Sequence, residues 1–219
     1  MSRRALVAGA TGLVGSHCLR LLLASRQYEK VVALVRRPLS LNDAKLEQAV
    51  VDYDRLAETL PAGSFDDVYC CLGTTIRKAG SQAAFRRVDF DYPVALAQVA
   101  RSRGARQFLL VSALGADPAS KVFYNRVKGE VEQAVRAAGI EQSWFFRPSL
   151  LVGERSESRP AERAGIAFAK LMVPLLQGPL RRYRAVEADA VAAAMIAVAL
   201  NGHPPGAIES DEIAQLAAV

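Results

Sequence analysis

Short apolar runs alternate along the chain with longer stretches in which apolar residues recur at helical spacing. Ala5–Ala8, Lys30–Val35, Gln48–Val51, Asp67–Leu72, Gln107–Ser112, Ser143–Phe146 and a weaker Ala207–Glu209 read as strands. Between them His17–Ser25, Asp43–Glu47, Phe85–Arg103, Tyr124–Ala138, Arg163–Leu176 and Asp189–Leu200 read as helices, with Gly104 and Gly139 where helix stops belong. This alternation predicts an α/β fold: one doubly wound parallel sheet with helices on both faces. No linker divides the chain, so a single domain is expected over 1–219, with a small substrate-side portion from about residue 150. Sheets of this kind bind ligands at the carboxyl ends of their strands, so the candidate chemistry is expected there.

The first strand runs directly into Gly9-Ala10-Thr11-Gly12-Leu13-Val14-Gly15, three glycines spaced G-x-x-G-x-x-G ahead of a helix. That placement is the dinucleotide-binding turn of a Rossmann-like fold. Gly9 permits the tight turn, Gly12 lets backbone approach a pyrophosphate, and Gly15 lets helix pack close to strand. Arg36 and Arg37 follow the second strand, where an NAD enzyme usually carries an acid for the ribose 2′-hydroxyl. Arginines there suit a 2′-phosphate, so NADPH is expected rather than NADH; the plainer reading is a solvent-facing pair. Asp52, after the third strand, either accepts from an adenine amino group or caps the next helix. Leu72 and Gly73, after the fourth, offer close backbone approach from the cofactor's other side.

The fifth strand ends in Ser112, and twelve residues on Tyr124 and Lys128 stand at i and i+4 on one helix face. An ammonium beside a phenol favours the phenolate, and such a tyrosine can exchange a proton with a carbonyl or alcohol oxygen. Tyr124 is therefore the candidate acid/base, Lys128 its partner and a holder of the nicotinamide ribose, and Ser112 the group orienting the substrate oxygen. The plainer reading is an ordinary exposed helix face. Farther on, Arg159 either reaches a phosphate or substrate carboxylate or forms a surface salt bridge.

Composition adds bounds. The net charge of +6 suits an anionic ligand, but Arg36-Arg37, Arg86-Arg87 and Arg181-Arg182 lie far apart and make no basic stripe, so no nucleic-acid partner is expected. Cys18, Cys70 and Cys71 form neither a disulfide framework nor a spaced metal set, and no metal site is read. The adjacent pair reads as core packing rather than redox chemistry. With no signal peptide, and with apolar segments broken by Lys170 and Pro174 or too short to span a bilayer, a soluble cytoplasmic protein is expected. The apolar faces of Phe85–Arg103 and Arg126–Ala138 either cover the sheet or meet a second copy of the chain or another protein partner.

Gly9–Gly15, Ser112, Tyr124 and Lys128 resemble the short-chain dehydrogenase/reductase superfamily. Cys70-Cys71-Leu72-Gly73-Thr74-Thr75, Val88-Asp89 with Tyr92, Val127-Lys128-Gly129-Glu130-Val131-Glu132, Phe146-Arg147-Pro148 and Glu157-Ser158-Arg159-Pro160 resemble one atypical branch of it. That branch holds the Tat-interacting-protein oxidoreductases and their bacterial relatives. The resemblance implies bound NADPH, with contacts at Thr11, Gly12, Leu13, Val14, Arg36, Arg37, Leu72, Gly73, Tyr124, Lys128, Leu151 and Arg159. Leu13 and Val14 stand where the branch carries polar residues, so backbone N–H groups would do the phosphate work there. The expected activity is hydride transfer to a carbonyl of an unidentified small molecule. The alternative is an NADPH-binding regulator or scaffold without turnover, because members are also described as protein-binding regulators.

Overall fold

The computed structural model describes residues 2–153 and 177–218. Arg159 and the expected helix Arg163–Leu176 lie outside the described residues. β1 (Arg3–Ala8), β2 (Tyr28–Val35), β3 (Leu46–Val50), β4 (Asp67–Cys70), β5 (Gln107–Val111), β6 (Gln142–Arg147) and β9 (Gly206–Glu209) form one parallel sheet in the order β3-β2-β1-β4-β5-β6-β9. A separate parallel pair joins β7 (Leu151–Val152) to β8 (Val186–Glu187). The strand order reverses between β1 and β4, and in open α/β sheets ligands bind at the carboxyl ends of the strands at such a switch point.

Alternation along β1 sets the two layers. Ala5 and Val7 face a core shared with α1 (Leu13–Ala24), α7 (Ala188–Asn201) and the short α8 (Ser210–Leu216). Leu6 and Ala8 face the opposite core, with Leu56 from the short α2 (Leu56–Thr59), Leu96, Ala97 and Ala100 from α5 (Tyr92–Ser102), and Val131 and Val135 from α6 (Phe123–Ala137). Each large side chain buried in this way contributes about 1.5–3 kcal/mol, so both faces are strongly fixed and register slips are suppressed.

Every expected strand forms, with ends moved by a residue or two. One expected helix does not. Asp43–Glu47 is a turn leading into β3, because Asp43 Oδ1 accepts from Lys45 N at 2.8 Å and offers the backbone an alternative to a helical ladder. Lys45 then donates to the Leu23 and Ser25 carbonyls at the end of α1. The expected helix Phe85–Arg103 begins earlier, at α4 (Gln82–Arg86), where the Ser81 hydroxyl caps Ala84 N at 3.1 Å. It then passes through a π-helical segment, Arg87–Asp91, before α5. The cause is Pro93, which lacks the N–H that would meet the carbonyl four residues back. Tyr92 N–H instead bonds five back, to the Arg87 carbonyl. The short α3 (Ile76–Ala79), capped by Thr75, carries no amphipathic period long enough to be seen in sequence.

Candidate cofactor and active site

The glycine loop is as tight as its spacing requires. Gly9 has φ +81°, in the left-handed region, and a Cβ there would lie 2.5 Å from the Cys71 carbonyl oxygen. Gly12 N donates to the Gly9 carbonyl at 2.9 Å, and a Cβ on Gly15 would come within 2.1 Å of that same oxygen. β1 and the end of β4 are thus pressed together, with Cys71 N donating to the Ala8 carbonyl at 2.9 Å. The N-terminus of α1 has no side-chain cap and no acidic residue in its first turn. Its free amides and positive dipole end fit a pyrophosphate. Val14 buries its side chain in the core and Leu13 packs toward Gly153, so only the backbone at these positions faces the crevice.

The residues expected on the adenosine side lie at the ends of β2 and β3. Arg36 and Arg37 are exposed at the end of β2. Asp52 is exposed and caps the 3-10 turn Tyr53–Arg55, accepting from Asp54 N at 3.0 Å. The cap therefore forms, while one carboxylate oxygen keeps lone pairs toward solvent. Tyr53 is buried and stacks on Tyr92, ring centroids 5.2 Å apart. Its hydroxyl approaches the Gly9 backbone and lies within the field of Arg36, yet it completes no hydrogen bond of good geometry. Burial pushes this phenol well above the ordinary tyrosine range. An orphaned buried hydroxyl beside Gly9 suits a cradle for a polar ligand.

On the other side stands α6. Tyr124 is half-buried against Phe85, centroids 5.5 Å apart, and Lys128 follows one turn on. Lys128 is buried, and its ammonium lies 2.7 Å from Asp89 Oδ1, with 5% and 1% of the two side chains exposed. Desolvation opposes the lysine charge, but Asp89, with lesser help from Tyr124, outweighs it and holds the ammonium above its ordinary value. Asp89 Oδ2 accepts from Thr74 N at 2.9 Å, just past Leu72 and Gly73. The structure thereby brings Tyr124 and Lys128 together and ties them to the loop after β4.

Ser112 is not brought to them. It is 4% exposed, and its Oγ donates to Glu132 Oε1 at 2.6 Å. The same carboxylate accepts from Arg147 Nε at 2.9 Å and Nη2 at 2.7 Å. In this arrangement the Ser112 proton is directed to a buried carboxylate, and the hydroxyl oxygen keeps lone pairs with which to accept. Hydrogen bonding to Glu132 is the leading cause that holds the Arg147 guanidinium above its ordinary value. Asp89, Glu132 and Gly129 are the residues that pattern reading missed. A Cβ on Gly129 would lie 2.2 Å from Pro118 N, so α6 can dock on that loop only through a glycine. The available signals were an acid in an otherwise apolar helix face and the i, i+4, i+8 series Tyr124, Lys128, Glu132. Leu151 is half-buried in β7, and no helix among the described residues is long and apolar enough to cross a membrane.

Comparison with known proteins agrees with this fold. Rat protein HTATIP2 is 41% identical over 160 residues, 71% of this chain and 66% of the rat protein, so the match spans just under two thirds of that relative's length. The mitochondrial protein fmp52 of Emericella nidulans is 34% identical over 211 residues, 92% of this chain and 90% of its own. Two solved structures share the fold. An oxidoreductase of the short-chain dehydrogenase/reductase family from Burkholderia thailandensis superposes with TM-score 0.68 at 19% identity, covering 98% of this chain and 93% of its own. The human epimerase family protein SDR39U1, solved with NADPH, gives 0.61 at 17% identity, covering 94% and 72%. The fungal relatives overturn the expected cytoplasmic location, since they are named mitochondrial. Reduced thiols report a reducing environment and not a particular compartment. The profile described as NAD(P)H-binding matches residues 9–201, and the chain belongs to that family, on the atypical short-chain dehydrogenase/reductase branch that includes HTATIP2 and Fmp52.

Proposed function

We propose that the protein is an NADPH-dependent reductase of a small carbonyl compound. The observation that carries the reading is the placement of Tyr124 and Lys128 on one face of α6, tied through Asp89 to the loop that faces the glycine turn across the strand-order switch. The amides of Leu13 to Gly15 at the start of α1 would hold the pyrophosphate, with Gly12 allowing its close approach, Arg36 and Arg37 the 2′-phosphate, Asp52 the adenine amino group, and the Leu72–Gly73 backbone the nicotinamide side. Leu151 and Arg159 would complete that side, within a substrate-facing portion from about residue 150. When bound, the reduced nicotinamide supplies a hydride to a carbonyl carbon. Tyr124 would give its hydroxyl proton to the carbonyl oxygen as negative charge develops there, and Lys128 would hold the ribose and stabilise the resulting phenolate.

The test is Tyr124→Phe. NADPH oxidation over a panel of aldehydes, ketones and quinones should fall at least about a hundredfold, while calorimetric NADPH affinity stays near that of the wild type. An unaffected rate removes the tyrosine from the chemistry. One observation favours a second reading, a cofactor-loaded regulator without turnover: Ser112 directs its proton to Glu132. A wild-type protein that binds NADPH tightly and reduces nothing in the panel would support it.

A further inference from the structure

We infer that Asp89 sets the charge state of the proton-transfer pair: it is a positioning residue that balances Lys128, so that Tyr124 faces a buried ion pair instead of a lone cation. The inference rests on the reductase reading above and deepens it. Lys128 is enclosed by three titratable groups: Asp89 on the π-helical segment, Cys70 on β4, and Tyr124 on its own helix. Only Asp89 is an acid, and its 2.7 Å approach with both side chains buried leaves little solvent to screen the pair. The Tyr124 ring packs on the uncharged ring of Phe85, and Arg86 and Glu130, from the same two helices, pair with each other.

Two features show that the placement is built. Asp89 faces inward because the π turn forced by Pro93 shifts the helix register at that residue. Its second oxygen is fixed by Thr74 N at 2.9 Å, so it cannot swing away from the lysine. Meanwhile Asp89 Oδ1 has no hydrogen bond of good geometry despite the close ammonium. An ammonium carries three N–H donors, so with one turned to Asp89 Oδ1 the others can serve Tyr124 and a ribose hydroxyl while the charge is balanced. The chemical consequence is directional. A phenol beside a neutral pair keeps its proton to higher pH than one beside a bare ammonium, and a protonated phenol is the form that carbonyl reduction needs.

The experiment titrates Tyr124 directly, from the ultraviolet difference spectrum between each protein and its Tyr124→Phe counterpart, in the full-length chain. Removing one unit charge from the surroundings of a half-buried phenol moves its titration by about one pH unit. Asp89→Asn should therefore shift Tyr124 down by about one unit, and the alkaline limb of NADPH-dependent reduction should move down with it. Lys128→Met should shift the titration up. Asp89→Asn combined with Lys128→Met leaves no unbalanced charge and should titrate within about half a unit of the wild type. If Asp89→Asn alone fails to fold, the comparison of the paired variant with Lys128→Met decides. An unchanged titration in Asp89→Asn, or a paired variant shifted as far as Lys128→Met, overturns the inference. A wild type that reduces no carbonyl would sink the reductase reading and leave this titration test standing.

Discussion

Gly12 and Gly15 lie three residues apart in one loop, yet alanine should affect them in different ways. At Gly15 the added Cβ would meet the Gly9 carbonyl oxygen at 2.1 Å and its carbon at 2.7 Å, both backbone atoms. A tolerable carbon–oxygen contact is about 3.3 Å, so α1 would have to retreat from β1 by roughly 1 Å. Overpacking of this kind costs about 2–3 kcal/mol, which for a chain of this length lowers the melting temperature by roughly 4–12 °C. At Gly12 the nearest atom would be the Gly9 oxygen at 3.2 Å, and φ −79°, ψ 173° suits any residue. The fold should lose less than about 1 kcal/mol there, because a shift of a few tenths of an ångström relieves the contact. The new methyl would instead occupy the space reserved for pyrophosphate. Loss of even one amide-to-phosphate hydrogen bond weakens binding at least about tenfold. Thermal melts without nucleotide and calorimetric titration with NADPH on both variants make the test. Near-normal NADPH affinity in Gly12→Ala would refute the placement of the pyrophosphate, and an unchanged melt in Gly15→Ala would refute the helix–strand contact.

Three further outcomes are expected. Arg36→Ala and Arg37→Ala should lose roughly tenfold or more in NADPH affinity and little in NADH affinity, read by calorimetry, since only the 2′-phosphate calls for a guanidinium. Equal losses for both nucleotides would refute the assignment. Glu132→Ala strands Arg147, whose side chain is 21% exposed, together with the Ser112 hydroxyl. It should cost about 3 kcal/mol, or roughly 6–12 °C in a thermal melt, with Glu132→Gln losing less. Burial pushes the Cys70 thiol up to about 12, and hydrogen bonding to Cys18, then burial, raises Cys71 as well. Both remain protonated at pH 8, so iodoacetamide should label the native protein at least about a hundredfold more slowly than the denatured chain.

Sequence pattern reached the elements whose stabilisation is local or periodic. The inner strands are short apolar runs buried on both faces, periodicity 3.6 marks α6, and α7 shows as an apolar, alanine-rich run too long for a strand. The glycine turn was legible because its spacing encodes steric contacts that the structure reproduces at Gly9 and Gly15. Asp43–Glu47 misled because an Asx turn and a short helix share the same residue types, and only Lys45 reaching back to α1 decides between them. The π turn was hidden for a similar reason. Pro93 announces a helix boundary, but its effect is to shift register inside one continuous helix, which shows only in the Tyr92-to-Arg87 bond.

The pairing of charges was the least legible part, and it matters most for chemistry. Tyr124, Lys128 and Glu132 lie on one face of α6, and any helical wheel places them there. What each of them touches depends on three different strand or helix ends brought together by the sheet order. Lys128 meets Asp89 across thirty-nine residues, the difference between those two positions, while Glu132 meets Ser112 and Arg147 from the ends of β5 and β6. A sequence shows a lysine near a tyrosine, and the natural inference is a cation tuning a phenol. The fold adds an acid to that lysine and a carboxylate to that serine, and so gives the cation a counter-charge at one residue and turns the hydroxyl proton at another toward Glu132. The position of a candidate group can be read along the chain, but its charge partner belongs to the topology, and protonation chemistry is decided by the partner.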